Sequence, residues 1–103
     1  MAKIPAPPAH LSDEGAELWD RVNRQYVLDD AQLLLLRTAL EAFDRMSSAR
    51  CVLAEEGCYT RNEAGTIVRA HPALRVEKDS RTGMLMALRQ LGLDLEPPDR
   101  IGG

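Results

Sequence analysis

Residues 29–57 read DDAQLLLLRTALEAFDRMSSARCVLAEEG, and the fold turns on this stretch. Asp29 is placed to cap a helix, and Gln32 three residues on completes a capping box with Asp standing in for Ser or Thr. Gly57 at the other end is a natural residue for leaving a helix, because it takes a left-handed conformation without a Cβ penalty. The spacing predicts one helix over 30–56, about 27 residues and about 40 Å at 1.5 Å per residue. Two apolar stripes run along it. One is Leu33, Leu36, Leu40 and Phe43. The other is Leu35, Ala39, Ala42, Met46, Ala49 and Leu53, spaced 4, 3, 4, 3, 4 as in a coiled-coil seam, with small residues that allow close approach. Two readings follow: a single wide buried face, or one face packed inside the subunit and the second against a neighbouring copy. On the second reading, the second stripe is the expected oligomer interface.

On the N-terminal side, Ser12 is a good N-cap, with Asp13 and Glu14 in the first turn, where the helix dipole favours negative charge. Leu11 and Ala16 sit where a hydrophobic staple forms. A helix is predicted over 13–26, with Ala16, Trp19, Val22 and Tyr26 on one face and Trp19 as a core anchor. Residues 1–11, with Pro5, Pro7 and Pro8, are read as a flexible arm.

On the C-terminal side, Cys58–Arg61 and Thr66–Arg69 are β-prone runs separated by Asn62-Glu63-Ala64-Gly65. Asn first and Gly last suit a type I turn, so a hairpin is expected within 58–71. A lone hairpin is marginally stable in water and must lean on the helices or on another subunit. His71-Pro72 opens a last helix with proline at its first position, running to Leu91 and stopped by Gly92. Gly83 lies inside that helix, at a cost of about 1 kcal/mol relative to alanine, and is expected to mark a bend or a close contact. The tail 94–103, with Pro97-Pro98 and Gly102-Gly103, is read as flexible. The predicted architecture is therefore mainly α: three helices with a long central one, and a small hairpin between the second and third. Residues 12–93 form a single domain.

The 103 residues carry a net charge of −3, which argues against a protein that coats nucleic acid indiscriminately. The charge is unevenly spread. Residues 1–56 hold 6 Lys/Arg against 10 Asp/Glu. Residues 57–90 reverse the sign, with Arg61, Arg69, Arg75, Lys78, Arg81 and Arg89 against Glu63, Glu77 and Asp79. Of these cations Arg61, Arg69, Arg75, Lys78 and Arg81 are the candidate phosphate-binding set, because they are continuous in sequence and a guanidinium donates two hydrogen bonds at once. The competing reading pairs them with the nearby carboxylates or turns them toward subunit neighbours.

No stretch is apolar enough to span a bilayer, and residues 1–11 lack the unbroken apolar segment of a signal peptide. A cytoplasmic chain is expected, and Cys51 and Cys58 are then packed free thiols. No catalytic residue, metal site or cofactor is expected. His10 and His71 with two cysteines do not give the paired short spacings of a zinc site. The glycines are too scattered for a phosphate loop. Cys58 and His71 flank the hairpin, but no third group orients them for nucleophilic chemistry.

The order of features has a likeness. Ala6-Pro7-Pro8-Ala9-His10-Leu11-Ser12 leads into a helix bearing Trp19; a long helix runs from Asp29-Asp30 to Glu56-Gly57. Asn62 and Gly65 then precede His71-Pro72, and Leu91-Gly92-Leu93 is followed by two prolines and Arg100. Over residues 5–100 the chain resembles the small subunit of phage DNA-packaging terminases. The resemblance implies a homo-oligomer, expected to be a ring, that recognises viral double-stranded DNA in the host cytoplasm and regulates a large subunit holding the ATPase and nuclease. The alternative is a helical scaffold that recruits a protein partner without touching DNA.

Overall fold

The computed structural model describes residues 4–93, which form α1 (Asp13–Gln25), α2 (Asp30–Glu56), β1 (Tyr59–Arg61), β2 (Ile67–Ala70) and α3 (Pro72–Leu91). The helix ends lie where local chemistry puts them. The Ser12 hydroxyl accepts from Gly15 N–H, and α1 closes one residue short of the expected end, with Tyr26 as its C-cap. Both arms of the Asp29/Gln32 capping box form, at 2.8 and 3.0 Å. Gly57 and Gly92 end α2 and α3 at φ of 81° and 70°, a region that costs any residue with a Cβ.

Two contacts fix how α2 and α3 run. Arg50 of α2 meets Glu77 of α3 near one end, while Leu36 and Leu40 share a cluster with Leu91 near the other. The pair is therefore antiparallel. Ala39, Ala42, Met46 and Ala49 are buried along α2, and α3 contributes small buried residues of its own, Ser80 and Ala87. Small residues on both sides let the backbones approach closely.

α1 packs on the first half of α2. Trp19 and Leu11 join Leu36, Leu40 and Leu91 in one buried cluster, edged by Leu18, Val22, Leu33 and Leu88. Leu36 is the largest fully buried side chain. Residues 4–11 are laid against this bundle. The Trp19 Nε1–H donates to the Pro5 carbonyl at 2.8 Å, His10 meets Glu41 at 2.6 Å, and the Ser12 backbone N–H and hydroxyl both donate to the Asp44 carboxylate. Residues 94–103, expected to be a flexible tail, lie outside the described residues.

The two strands pair antiparallel between α2 and α3. The loop is the expected four-residue turn: Gly65 N–H donates to the Asn62 carbonyl at 2.9 Å, and Gly65 sits at a φ of 82°. Every residue of both strands is exposed, so the hairpin projects beyond the helix pair instead of lying back on it. Of the two roles expected of Gly83, a bend or a close contact, the second is absent among the described residues: nothing lies within 4 Å of the Cβ it lacks.

Candidate nucleic-acid and assembly surfaces

Arg61, Arg69, Arg75, Lys78 and Arg81 are all exposed, the first two on the hairpin and the rest on the first half of α3. Strand pairing sets their directions. Thr60 opposes Arg69 and Arg61 opposes Ile67, with the register shifting between Thr60 and Arg61. Alternation along β1 puts Thr60, with Arg69 opposite it, on one face of the ribbon and Arg61, with Ile67 opposite it, on the other; Val68 is the extra residue at the register shift and breaks the alternation along β2. Arg61 donates to the Gly65 carbonyl at 2.9 Å, folding over the turn. On α3, Arg75 lies 3.6 Å from Asp79 and Arg81 lies 3.7 Å from Glu77, each one helical turn away. Arg69 and Lys78 make no ion pair among the described residues.

Two cations outside the sequence-derived set join this end of the molecule. Arg50 reaches from α2 to Glu77 at 3.0 Å. Arg45, also exposed, lines an open apolar groove between α2 and α3 whose floor is Ala49, Val52, Ala73 and Val76. Neither is visible from sequence as part of the basic region, because only the antiparallel pairing of α2 with α3 brings residues 45–50 beside 73–81. Glu77 is the hub: its carboxylate, 14% exposed, is shared between Arg50 and Arg81.

His71 is occupied by the fold. Its Nδ1 accepts from Ala73 N–H at 3.0 Å and caps α3, which leaves Nε2 to donate to Glu56 at 2.9 Å. Its backbone N–H donates to the Cys58 carbonyl, so the two residues do meet at the open end of the hairpin. The imidazole nonetheless has both nitrogens engaged elsewhere. Cys51 and Cys58 are free, and both are exposed, not packed as expected from sequence.

Of the six positions of the second stripe, Ala39, Ala42, Met46 and Ala49 are buried within the subunit, while Leu35 and Leu53 are half-buried. A neighbouring copy could reach only the last two without parting α2 from α3. The large apolar residues left in the open lie off this stripe: Ile4 and Val27 outside the helices, Leu34 on α2, Tyr59, Ile67 and Val68 on the hairpin, with 53%, 52% and 61% of their surface exposed, and Val76, Leu85 and Met86 on α3.

On the far side of α2 a second concave region opens where α1 meets it. Phe43, half-buried, lines both of the adjoining cavities there. Their walls carry Glu14, Glu17 and Asp44, with Arg21 opposite and in contact with Glu17 at 2.8 Å.

Among the described residues no helix is long and apolar enough to cross a membrane, and no three His, Cys, Asp or Glu side chains cluster in a way that could hold a metal ion. No curated protein and no solved structure matches the chain significantly. A family model described as phage terminase, small subunit, matches residues 15–102. That match covers α1, α2, the hairpin and α3 in full, save the two opening residues of α1, and with it the chain belongs to the phage terminase small-subunit family.

Proposed function

We propose that this protein is the non-catalytic DNA-recognition subunit of a viral packaging terminase. It assembles with copies of itself, binds viral double-stranded DNA, and regulates a large subunit that supplies ATPase and nuclease. Family membership supports the packaging role. The observation that carries the DNA contact is the concentration of exposed cations at one end of an acidic chain: Arg61 and Arg69 on the projecting hairpin, continuous with Arg75, Lys78 and Arg81 on α3. A two-stranded ribbon fits a DNA groove, and the helix behind it presents cations to the flanking phosphates.

A second reading is favoured by the ion pairs Arg75–Asp79 and Arg81–Glu77, which occupy two of the five cations. In that reading the chain is a helical adaptor that recruits a protein partner and leaves DNA alone. A salt titration separates the two. DNA binding by the wild type should weaken steeply with salt. Arg75→Ala/Lys78→Ala should reduce the slope of log affinity against log salt by about 0.9 for each phosphate left without its cation. Unchanged slope and affinity in the double variant, with its assembly state intact, removes the α3 cations from the DNA contact.

A further inference from the structure

Among the described residues nothing covers the hairpin. Isolated two-stranded hairpins are marginal in water, yet every strand residue here is exposed. Its two faces differ. Tyr59 opposes Ala70 and Arg61 opposes Ile67, so one face carries Tyr59, Arg61 and Ile67, an apolar surface with a single cation; the other carries Thr60 and Arg69. The cleft around Phe43 is the complementary object. Phe43 lines it, and its walls bear Glu14, Glu17 and Asp44 against Arg21 and His10; Glu17 is paired with Arg21 and Asp44 with Ser12, which leaves Glu14 as its open carboxylate among the described residues. The hairpin cannot reach the cleft of its own subunit. It leaves α2 at Glu56, thirteen residues and about 20 Å of helix from Phe43, and it does not fold back.

We infer that the Tyr59/Ile67 face of the hairpin docks in the α1–α2 cleft of a second copy of this chain, with Arg61 set against Glu14. The inference rests on the self-assembly proposed above and names its surfaces. Charge complementarity chooses this occupant: the half of the chain that holds the cleft is acidic and the half that holds the hairpin is basic, so copies are steered head to tail. A contact between two different patches is heterologous, and its repetition closes into a ring or runs on as a filament. In the assembly Arg61 is taken up by this contact and leaves the DNA-binding set, while the Thr60/Arg69 face of the ribbon stays free for DNA.

The test is the absolute mass of the full chain by light scattering between about 10 and about 200 µM, with far-UV circular dichroism to confirm that each variant is folded. The wild type should exceed the monomer mass of 11.4 kDa several-fold. Arg61→Glu and Glu14→Arg should each weaken assembly at least ~tenfold, because a like-charge pair then faces the contact. Tyr59→Ser should do the same by removing the ring from the docking face, without harm to a helical core it does not touch. The double variant Arg61→Glu/Glu14→Arg should regain the wild-type mass. A wild type that stays monomeric throughout the range overturns the self-assembly reading itself. An assembled wild type whose Arg61→Glu and Tyr59→Ser variants keep its mass overturns this contact alone, and changed DNA retention in those variants would then make the hairpin purely a DNA element. Single variants that dissociate without rescue in the double overturn the α1–α2 cleft as the hairpin's seat.

Discussion

Met46→Glu separates a helix seam from a helix core. Met46 retains 4% of its surface and lies on the α2 stripe that has coiled-coil spacing. If that stripe were an interface between copies, a charge there would dissociate the assembly and leave folded subunits. The structure gives a different outcome. Replacing a buried methionine forfeits about 1.5–3 kcal/mol of apolar burial. The new carboxyl must then be buried ionised, at several kcal/mol, or held neutral at pH 7. From an ordinary value near 4.3, the neutral form costs about 2.7 units at 1.36 kcal/mol each, or about 3.7 kcal/mol. The sum is about 5–7 kcal/mol, against a total stability of about 5–15 kcal/mol for a domain of this size. Met46→Glu should therefore lose most of its helical circular dichroism signal at 25 °C, and Ala42→Glu, at a position 1% exposed, should behave alike. Met46→Leu conserves volume and should cost under about 1.5 kcal/mol. A Met46→Glu chain that keeps the wild-type helix signal and melting curve while its mass falls to that of a monomer would falsify the placement of this stripe in the core.

Three further substitutions probe the subunit. Gly83→Ala fills open space on a helix and should stabilise by about 0.5–1 kcal/mol, read as a melting temperature several degrees higher; no gain would mean that α3 is not regular there. Gly15→Ala places a methyl carbon 3.0 Å from Asp44 Oδ1 and 3.3 Å from the Ser12 hydroxyl. It should push the carboxylate off its Ser12 donors and lower the urea midpoint by the equivalent of about 1 kcal/mol or more. Glu41 is held below its ordinary value near 4.5 by the hydrogen bond from His10 and, to a lesser degree, by Arg37, against an opposing push from burial. A depressed carboxylate contributes stability above its unfolded pKa and loses it as pH falls through the folded one. The stability gap between wild type and Glu41→Gln should accordingly be full at about pH 6 and close as pH falls below the ordinary value of 4.5 in denaturant titrations; a gap that does not vary with pH would refute the His10–Glu41–Arg37 linkage.

The helix ends were legible because their causes lie within a few residues. Ser12, Asp29 with Gln32, Gly57, Pro72 and Gly92 each act on a neighbouring turn, and the elements begin and end on them. The Asn62–Gly65 turn was legible for the same reason. Placement of the stripes was not. A helix pattern shows that Leu36 and Ala39 are both apolar, but not that one meets Trp19 while the other faces a helix about forty residues on. The contacts that decide such questions, His10 with Glu41 and Arg50 with Glu77, join residues 31 and 27 apart, beyond any local rule. The exposed cysteines were misread for a related reason: cysteine is usually buried, but Cys51 lies with Phe43 on the side of α2 that faces His10, and Cys58 sits at the base of an exposed hairpin. In contrast, the Arg75–Asp79 pair was within reach of the sequence, since four-residue spacing on a helix predicts it.

That pair also bears on how an acidic chain would hold DNA in the proposed role. Exposed ion pairs one helical turn apart are worth about 0.3–0.5 kcal/mol, so Arg75 exchanges Asp79 for a phosphate at little cost. Arg50 is bound differently: its partner Glu77 is 14% exposed and anchors α2 to α3, so it should stay with the fold. One subunit then offers Arg69 and Lys78 unopposed, with Arg61, Arg75 and Arg81 available by exchange. At about 0.9 per phosphate, the log–log salt slope for one subunit lies between about 2 and 4.5, which corresponds to weak binding at physiological salt. In the proposed head-to-tail assembly, copies of the Thr60/Arg69 face would line one DNA, and each later contact would form at high effective concentration. The assembled protein should therefore show a slope well above about 4.5, and a dissociated but folded variant such as Glu14→Arg, with every cation of the patch intact, should fall back to the single-subunit range. Equal slopes for the two would mean that one subunit alone engages the DNA, and that the copies serve some other end.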